Sequence, residues 1–199
     1  MNPITLTEDE KDVLQELMNV AYGNATAVVA EMLDAFASLS IPNIKVMQVS
    51  ELMERFNQLK DSSYFFSTQA FMGEFNGESA FFIDEESANN LAKHLELESM
   101  EDLDDAILEL TNVLTSSLTT RLAQEMDTEV NFALPSISKV PLNEIANVDT
   151  FLQYSQVIVI DTDLNFEDQM IHGKIFILTK DESIQWLKER INTILEALI

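Results

Sequence analysis

Apolar residues recur at three- and four-residue spacing from about Thr7 to Phe36, at Val13, Leu14, Leu17, Ala21, Val28 and Met32, which predicts one long amphipathic helix. Thr7, followed by Glu8, Asp9 and Glu10, is a fitting start. A β-branched stretch from Ile41 to Val49 follows, then a short polar helical piece, SELMERFNQL. The runs Tyr64–Phe75 and Glu78–Ile83 predict a hairpin joined by Asn76-Gly77, a dipeptide that tolerates the positive φ of a tight turn. Glu85–Leu95 reads as a helix. From Asp102 the order begins again: a helix over Leu103–Gln124, an extended piece from Glu129 to Leu134, and then VPLNEIANVD. A strand over Phe151–Ile160, an acidic turn from Asp161 to Asp168, a strand over Gln169–Leu178 and a last helix from Asp181 complete the chain.

The two halves answer each other in residues as well as in order. AFFIDEESANNL, from Ala80, matches IFILTKDESIQWL, from Ile175, with Ser87 against Ser183 and Leu91 against Leu187. An internal duplication is expected, with repeat one over about 7–96 and repeat two over about 102–199. Two long repeats are too few for a solenoid, so the expectation is one pseudo-two-fold α/β (α+β) domain with the acidic stretch Glu96–Asp105 as its joint.

Composition narrows the class. The 199 residues are 46% hydrophobic, enough for a packed core, and carry 11 Lys plus Arg against 35 Asp plus Glu for a net charge of -24. Such a surface repels phosphate backbones and anionic membranes, so nucleic acid and membrane insertion are not expected. With no cysteine there is no disulfide framework, thiolate nucleophile or zinc-thiolate site, and a cytoplasmic home is expected. The amino terminus has neither the basic nor the apolar region of a signal peptide.

The chemistry lies in a polar stripe. At about 100° per residue from Asp12, Glu16 falls near 40°, Asn19 near 340° and Gly23 near 20°, away from the apolar side. Pro42 follows Asn19 as the next breaker, giving Asp-x3-Glu-x2-Asn-x22-Pro. Asp105, Glu109, Asn112 and Pro135 repeat that spacing without a slip, with Ser116 where Gly23 stands. One copy arises by chance in about one chain per thousand at ordinary residue frequencies. Two in register are not chance. Neither copy contains His, Cys or Lys, and Asn does not titrate, so the stripe holds no nucleophile and must act on a reactive group brought by another molecule.

These motifs resemble those of the CheC/CheX/FliY phosphatases of bacterial and archaeal chemotaxis, whose pattern is Asp/Ser-x3-Glu-x2-Asn-x22-Pro. The resemblance spans Asp12 to the last helix, and two intact copies without a FliN-like tail look most like CheC. Met18 and Ala21 stand where the family pattern has glycines. The resemblance implies a largely antiparallel sheet with the two motif helices packed on it. It implies a substrate too: the phospho-aspartate of a CheY-like receiver, whose own pocket supplies Mg²⁺ and a Lys, so that no cofactor belongs to this chain. Asn19 and Asn112 would hold the attacking water in line, as Gln does in GTPases. Glu16 and Glu109 are implied to pair with the receiver's lysine. Gly23 and Ser116, both small, would let the partner's loops approach, while Asp12, Asp105, Pro42 and Pro135 shape the helices and their exits. The alternative is a non-catalytic adaptor that docks receivers or a CheD-like deamidase. A flagellar-switch subunit is a third reading.

Other patterns carry less. Asp161, Asp163 and Asn165 imitate the start of an EF-hand loop, but Phe166 stands where Gly is needed and His172 where the bidentate Glu belongs. His94 and His172 lack partners at ligand spacing, so no metal site is assigned. Trp186, Leu187 and Ile191 read as core packing, and no GxSxG, HExxH or Walker pattern occurs.

Overall fold

Helix α1 runs Glu8–Met32 in the computed structural model, which describes residues 4–40, 43–57, 63–141, 156–179 and 181–197. A capping box sets its start: the Thr7 hydroxyl accepts from Glu10 N–H at 3.2 Å while the Glu10 carboxylate accepts from Thr7 N–H at 2.8 Å. The helix ends four residues before the predicted Phe36, because Asp34 turns into the left-handed region at φ 46°. Helix α4, Met100–Glu125, begins with a second box between Ser99 and Asp102. Between them lie α2 (Val49–Asn57) and α3 (Glu85–His94), and α5 (Asp181–Ala197) closes the chain.

Among the described residues eight strands form one antiparallel sheet in the order β1-β7-β8-β4-β3-β5, with β2 also paired to β7 and β6 to β3. They are β1 (Ser38–Leu39), β2 (Asn43–Gln48), β3 (Ser63–Gly73), β4 (Gly77–Asp84), β5 (Val130–Phe132), β6 (Ser136–Pro141), β7 (Gln156–Phe166) and β8 (Ile171–Thr179). The pairing is reciprocal: β1 and β2 add to β7 of the second half, and β5 and β6 add to β3 of the first. The central strands are apolar on both faces. Phe81, Ile83, Ile158, Ile160, Ile175 and Ile177 join the main core with Leu14, Met18, Leu114 and Leu118 of the long helices. Their neighbours Ala80, Phe82, Val157, Val159, Phe176 and Leu178 form a smaller core with Leu52 of α2. In α5, Leu187 and Ile191 are buried as expected, and Trp186 packs at the edge, its ring stacked 6.4 Å from Phe75.

Two predicted turns differ. The first hairpin forms, but Phe71 already pairs with Gly77, so the connection is Met72–Asn76 and no glycine among the described residues has positive φ. Gly77 is needed for space instead: a Cβ there would sit 2.1 Å from the Leu178 carbonyl oxygen. The second hairpin turns at 167–170, so Asp161, Asp163 and Asn165 lie in β7 and not in an acidic turn. Cross-strand charge makes this tolerable, since Asp163 faces Lys174 and their charged ends are 3.1 Å apart. Residues 151–155 of the predicted strand and most of VPLNEIANVD lie outside the described residues.

Glu10 ties the two ends of the chain together. It is 2% exposed, accepts from Asn192 Nδ2 at 2.8 Å, and stands 3.4 Å from Lys188 Nζ on α5. Burial pushes its carboxyl up, but the Thr7 N–H, the Asn192 amide and the Lys188 ammonium together outweigh that and hold it below its ordinary value. A lowered folded pKa contributes stability that is fully present above the unfolded value of about 4.3 and lost as pH falls through the folded one. Glu10→Gln should therefore cost about 1–2 kcal/mol at pH 7 and less in acid, as pH falls through the folded pKa, read from urea unfolding under both conditions. An equal loss at both pH values would mean that the charge contributes nothing.

Candidate functional site

The motif residues of α1, namely Asp12, Glu16, Asn19 and Gly23, are all solvent-exposed. Behind them, Leu14, Met18, Ala21, Tyr22, Ala25 and Val29 form the buried row. The helical period alone separates the two sets. The core direction is turned slightly from the predicted one, with Met18 inside and Val28 at the surface. Met18 and Ala21, at the two glycine positions of the resembled pattern, are fully buried, so these replacements alter packing beneath the stripe and not the stripe itself.

On α4, Asp105 and Glu109 are exposed, whereas Asn112 and Ser116 are half-buried. The Ser116 hydroxyl donates back to Val113 O at 3.3 Å. Three buried threonines, Thr111, Thr115 and Thr119, lie on the inner side among the leucines, and Thr111 and Thr119 donate to the carbonyl four residues earlier. Among the described residues none of the four motif carboxylates enters an ion pair; the nearby cations are spent elsewhere, Lys11 on Glu8 and Arg121 on Glu125. Each stripe thus presents two unpaired negative charges beside an amide.

Strand register explains what a proline twenty-three positions downstream has to do with the helix. Phe132 pairs with Phe71 and Ser136 with Thr68, so four steps on the outer strand span three on β3. The extra residue makes a bulge at Ala133–Pro135, with Leu134 93% exposed. Pro135 sits where no ladder N–H is needed. Ala133 N–H donates to Ala70 O at 3.0 Å, and the Ser67 hydroxyl donates to Ser136 O at 3.0 Å, stitching the bulge to β3. From inside the fold, Gln69 Nε2 donates to both Ala133 O at 2.9 Å and Asn112 Oδ1 at 2.8 Å. The bulge and Asn112 are joined through one side chain.

The first half has the same offset: Leu39 pairs with Leu164 and Asn43 with Asp161. Pro42 falls in that step but lies outside the described residues. Ser38–Ser40 border a shallow depression shared with Asn19, Gly23 and Thr26, and Ser40 N–H donates to Asp163 O at 2.9 Å. Asn19 makes no hydrogen bond among the described residues. The fold therefore sets each motif helix face beside a strand edge, and among the described residues holds only the second Asn from within.

Gln69 went unnoticed in the sequence because it belongs to neither motif. A signal existed: it shares strand parity with Phe65 and Phe71, an inward position where an amide is unusual. The histidines are engaged singly, His94 Nε2 with Leu33 O at 2.7 Å and His172 Nδ1 with Asn165 Oδ1 at 2.8 Å. Among the described residues no group of three or more His, Cys, Asp or Glu is placed to hold a metal ion. No helix among them is long and apolar enough to cross a membrane.

No protein-family model matches the chain. It is 24% identical over 209 residues, 92% of this chain and 93% of the relative, to the CheY-P phosphatase CheC of Bacillus subtilis (strain 168). In structure it is similar to Thermotoga maritima FliY, with TM-score 0.73 and 15% identity over 96% of this chain and 99% of that one. The middle domain of FliM from Vibrio alginolyticus aligns with TM-score 0.63 and 14% identity, over 89% and 99% of the two chains. A chain of the CheX-CheY-BeF3-Mg²⁺ complex from Borrelia burgdorferi aligns with TM-score 0.54 and 10% identity, over 82% and 98%.

Proposed function

We propose that this chain, similar along nearly its whole length to a CheY-P phosphatase and built on the fold of the CheC, CheX and FliY proteins, hydrolyses the phospho-aspartate of a CheY-like receiver domain. The observation that carries this reading is the pair of Glu/Asn stripes at identical spacing, each beside a strand edge and neither containing His, Cys or Lys. An acyl phosphate is already labile. What such a site can add is orientation: Asn19 or Asn112 accepts a hydrogen bond from one water at its Oδ1 and aims the water oxygen at phosphorus. The new P–O bond forms as the aspartyl carboxylate leaves with the old bond's electron pair, and the water proton passes to the phosphate or to solvent. Glu16 and Glu109, unpaired among the described residues, suit a receiver lysine, while Asp12 and Asp105 add negative charge one turn earlier. The Mg²⁺ of the reaction is assigned to the receiver, not to this chain.

A second reading, favoured by the likeness to the FliM middle domain, is an adaptor that binds receivers, or a CheD-like deamidase, without turnover. Phosphate release from an acetyl-phosphate-charged CheY-like receiver with Mg²⁺ separates the two. A phosphatase at one-hundredth of the receiver concentration accelerates release through many turnovers. Receiver binding at one to one with no sub-stoichiometric acceleration overturns the catalytic reading and leaves the adaptor.

A further inference from the structure

We infer that Gln69 is a positioning residue for Asn112, fixing which end of that amide faces the partner; the inference rests on the phosphatase reading. Ala133 O only accepts, so the Gln69 atom 2.9 Å from it must be Nε2. The second N–H of that nitrogen points to Asn112, so the atom met there at 2.8 Å must be Oδ1. The Asn112 Nδ2 group is therefore turned away from Gln69, and Oδ1 keeps one lone pair. Both are then available to one water, the oxygen to accept a hydrogen bond from it and the amide nitrogen to donate one to it or to a phosphoryl oxygen.

Gln69 is itself well anchored. It is 2% exposed on β3, opposite Ser79, in a sheet whose neighbours on both sides are paired. Its own Oε1 is buried with no hydrogen-bond partner among the described residues, a cost that an apolar residue of the same size would not carry. The amide contributes something that packing does not. A water-aligning group that must be held in one rotamer and one flip state loses less freedom on reaching the transition state when a buried donor already fixes it. At the matching register of β7 the chain has Thr162 and not a second glutamine, and Asn19 is exposed with no partner among the described residues. The two stripes share a motif but not this support.

Single-site proteins test the idea. Asn19→Ala leaves only the second stripe and Asn112→Ala only the first. Adding Gln69→Leu to Asn19→Ala should lower kcat for phosphate release about 10-fold with KM for the receiver unchanged, since Glu109 still docks. Adding it to Asn112→Ala should change nothing, which makes the first stripe an internal control for folding. Side-chain ¹⁵N relaxation should find the Asn112 amide rigid in the parent protein and as mobile as Asn19 once Gln69 is replaced. Equal losses in both backgrounds, an unchanged kcat in the Asn19→Ala background, or a silent second stripe would each overturn the positioning role. No release from the parent protein would instead overturn the phosphatase reading and this role with it.

Discussion

Replacing Asn19 and Asn112 together by Ala is expected to bring phosphate release down to the receiver's own rate, a loss of about 10²- to 10³-fold, while each single replacement leaves part of the activity. The size follows from the chemistry available. With no His, Cys or Lys in either stripe and the glutamates assigned to docking, orientation of one water is what each stripe adds to the chemical step, and removing both amides removes it. Folding is not expected to interfere. Asn19 is exposed on a helix interior with no internal partner, so Ala there should be neutral or stabilising by about 0.5 kcal/mol. Asn112→Ala costs Gln69 one of its two acceptors, about 1 kcal/mol, and the better helix propensity of Ala offsets part of that. Urea unfolding of the double variant should therefore give a midpoint near the parent's. Residual acceleration in a folded double variant would show that another group moves the water, and the stripe would then be a docking surface.

The largest stability effect is expected at Gly77. An added Cβ would sit 2.1 Å from Leu178 O and 2.9 Å from the Phe71 ring. The first is backbone of β8 in the middle of the sheet, paired with both β4 and β7, so the collision cannot be relieved by a rotamer change. Phe71 belongs to the main core and Leu178 to the smaller one, which makes the strain felt on both faces. Gly77→Ala should cost about 3 kcal/mol or more, against a total stability of about 5–15 kcal/mol for a domain, and lower the melting temperature by several degrees. Gly23→Ala is the contrasting case: nothing lies within 4 Å of its added Cβ, so it should melt at or above the parent temperature. A Gly77→Ala protein as stable as the parent would mean that β4 and β8 separate at little cost.

The long helices and their stripes were legible because everything that makes them is local. Thr7 starts α1 within three residues of Glu10, and the motif acids and amides recur within two turns, so the 3.6-residue period assigns their faces without knowledge of the rest of the chain. The start of α4 differs from the expected Leu103: the Ser99–Asp102 capping box begins it at Met100, so Glu101–Asp105 of the expected joint are helix. The short connections were less legible. Asn76-Gly77 has the composition of a tight turn, yet the pairing of Phe71 with Gly77 moved the turn upstream. Asp161, Asp163 and Asn165 look like a loop by composition, yet pairing with β8 made them strand. In both cases a partner strand outweighed local preference.

The sequence by itself determined the two long helices, the start of α1 at Thr7 and the helix faces that carry the two motifs, since each depends on residues within a few positions of one another. The tertiary structure alone decided that β1 and β2 join β7 while β5 and β6 join β3, that a bulge sets the motif proline's segment beside the helix, and that Gln69 crosses 43 positions of sequence to hold Asn112. Those features come from which strands meet and in what register, a choice made by burying both faces of the central strands at once. No period of two or 3.6 residues records it.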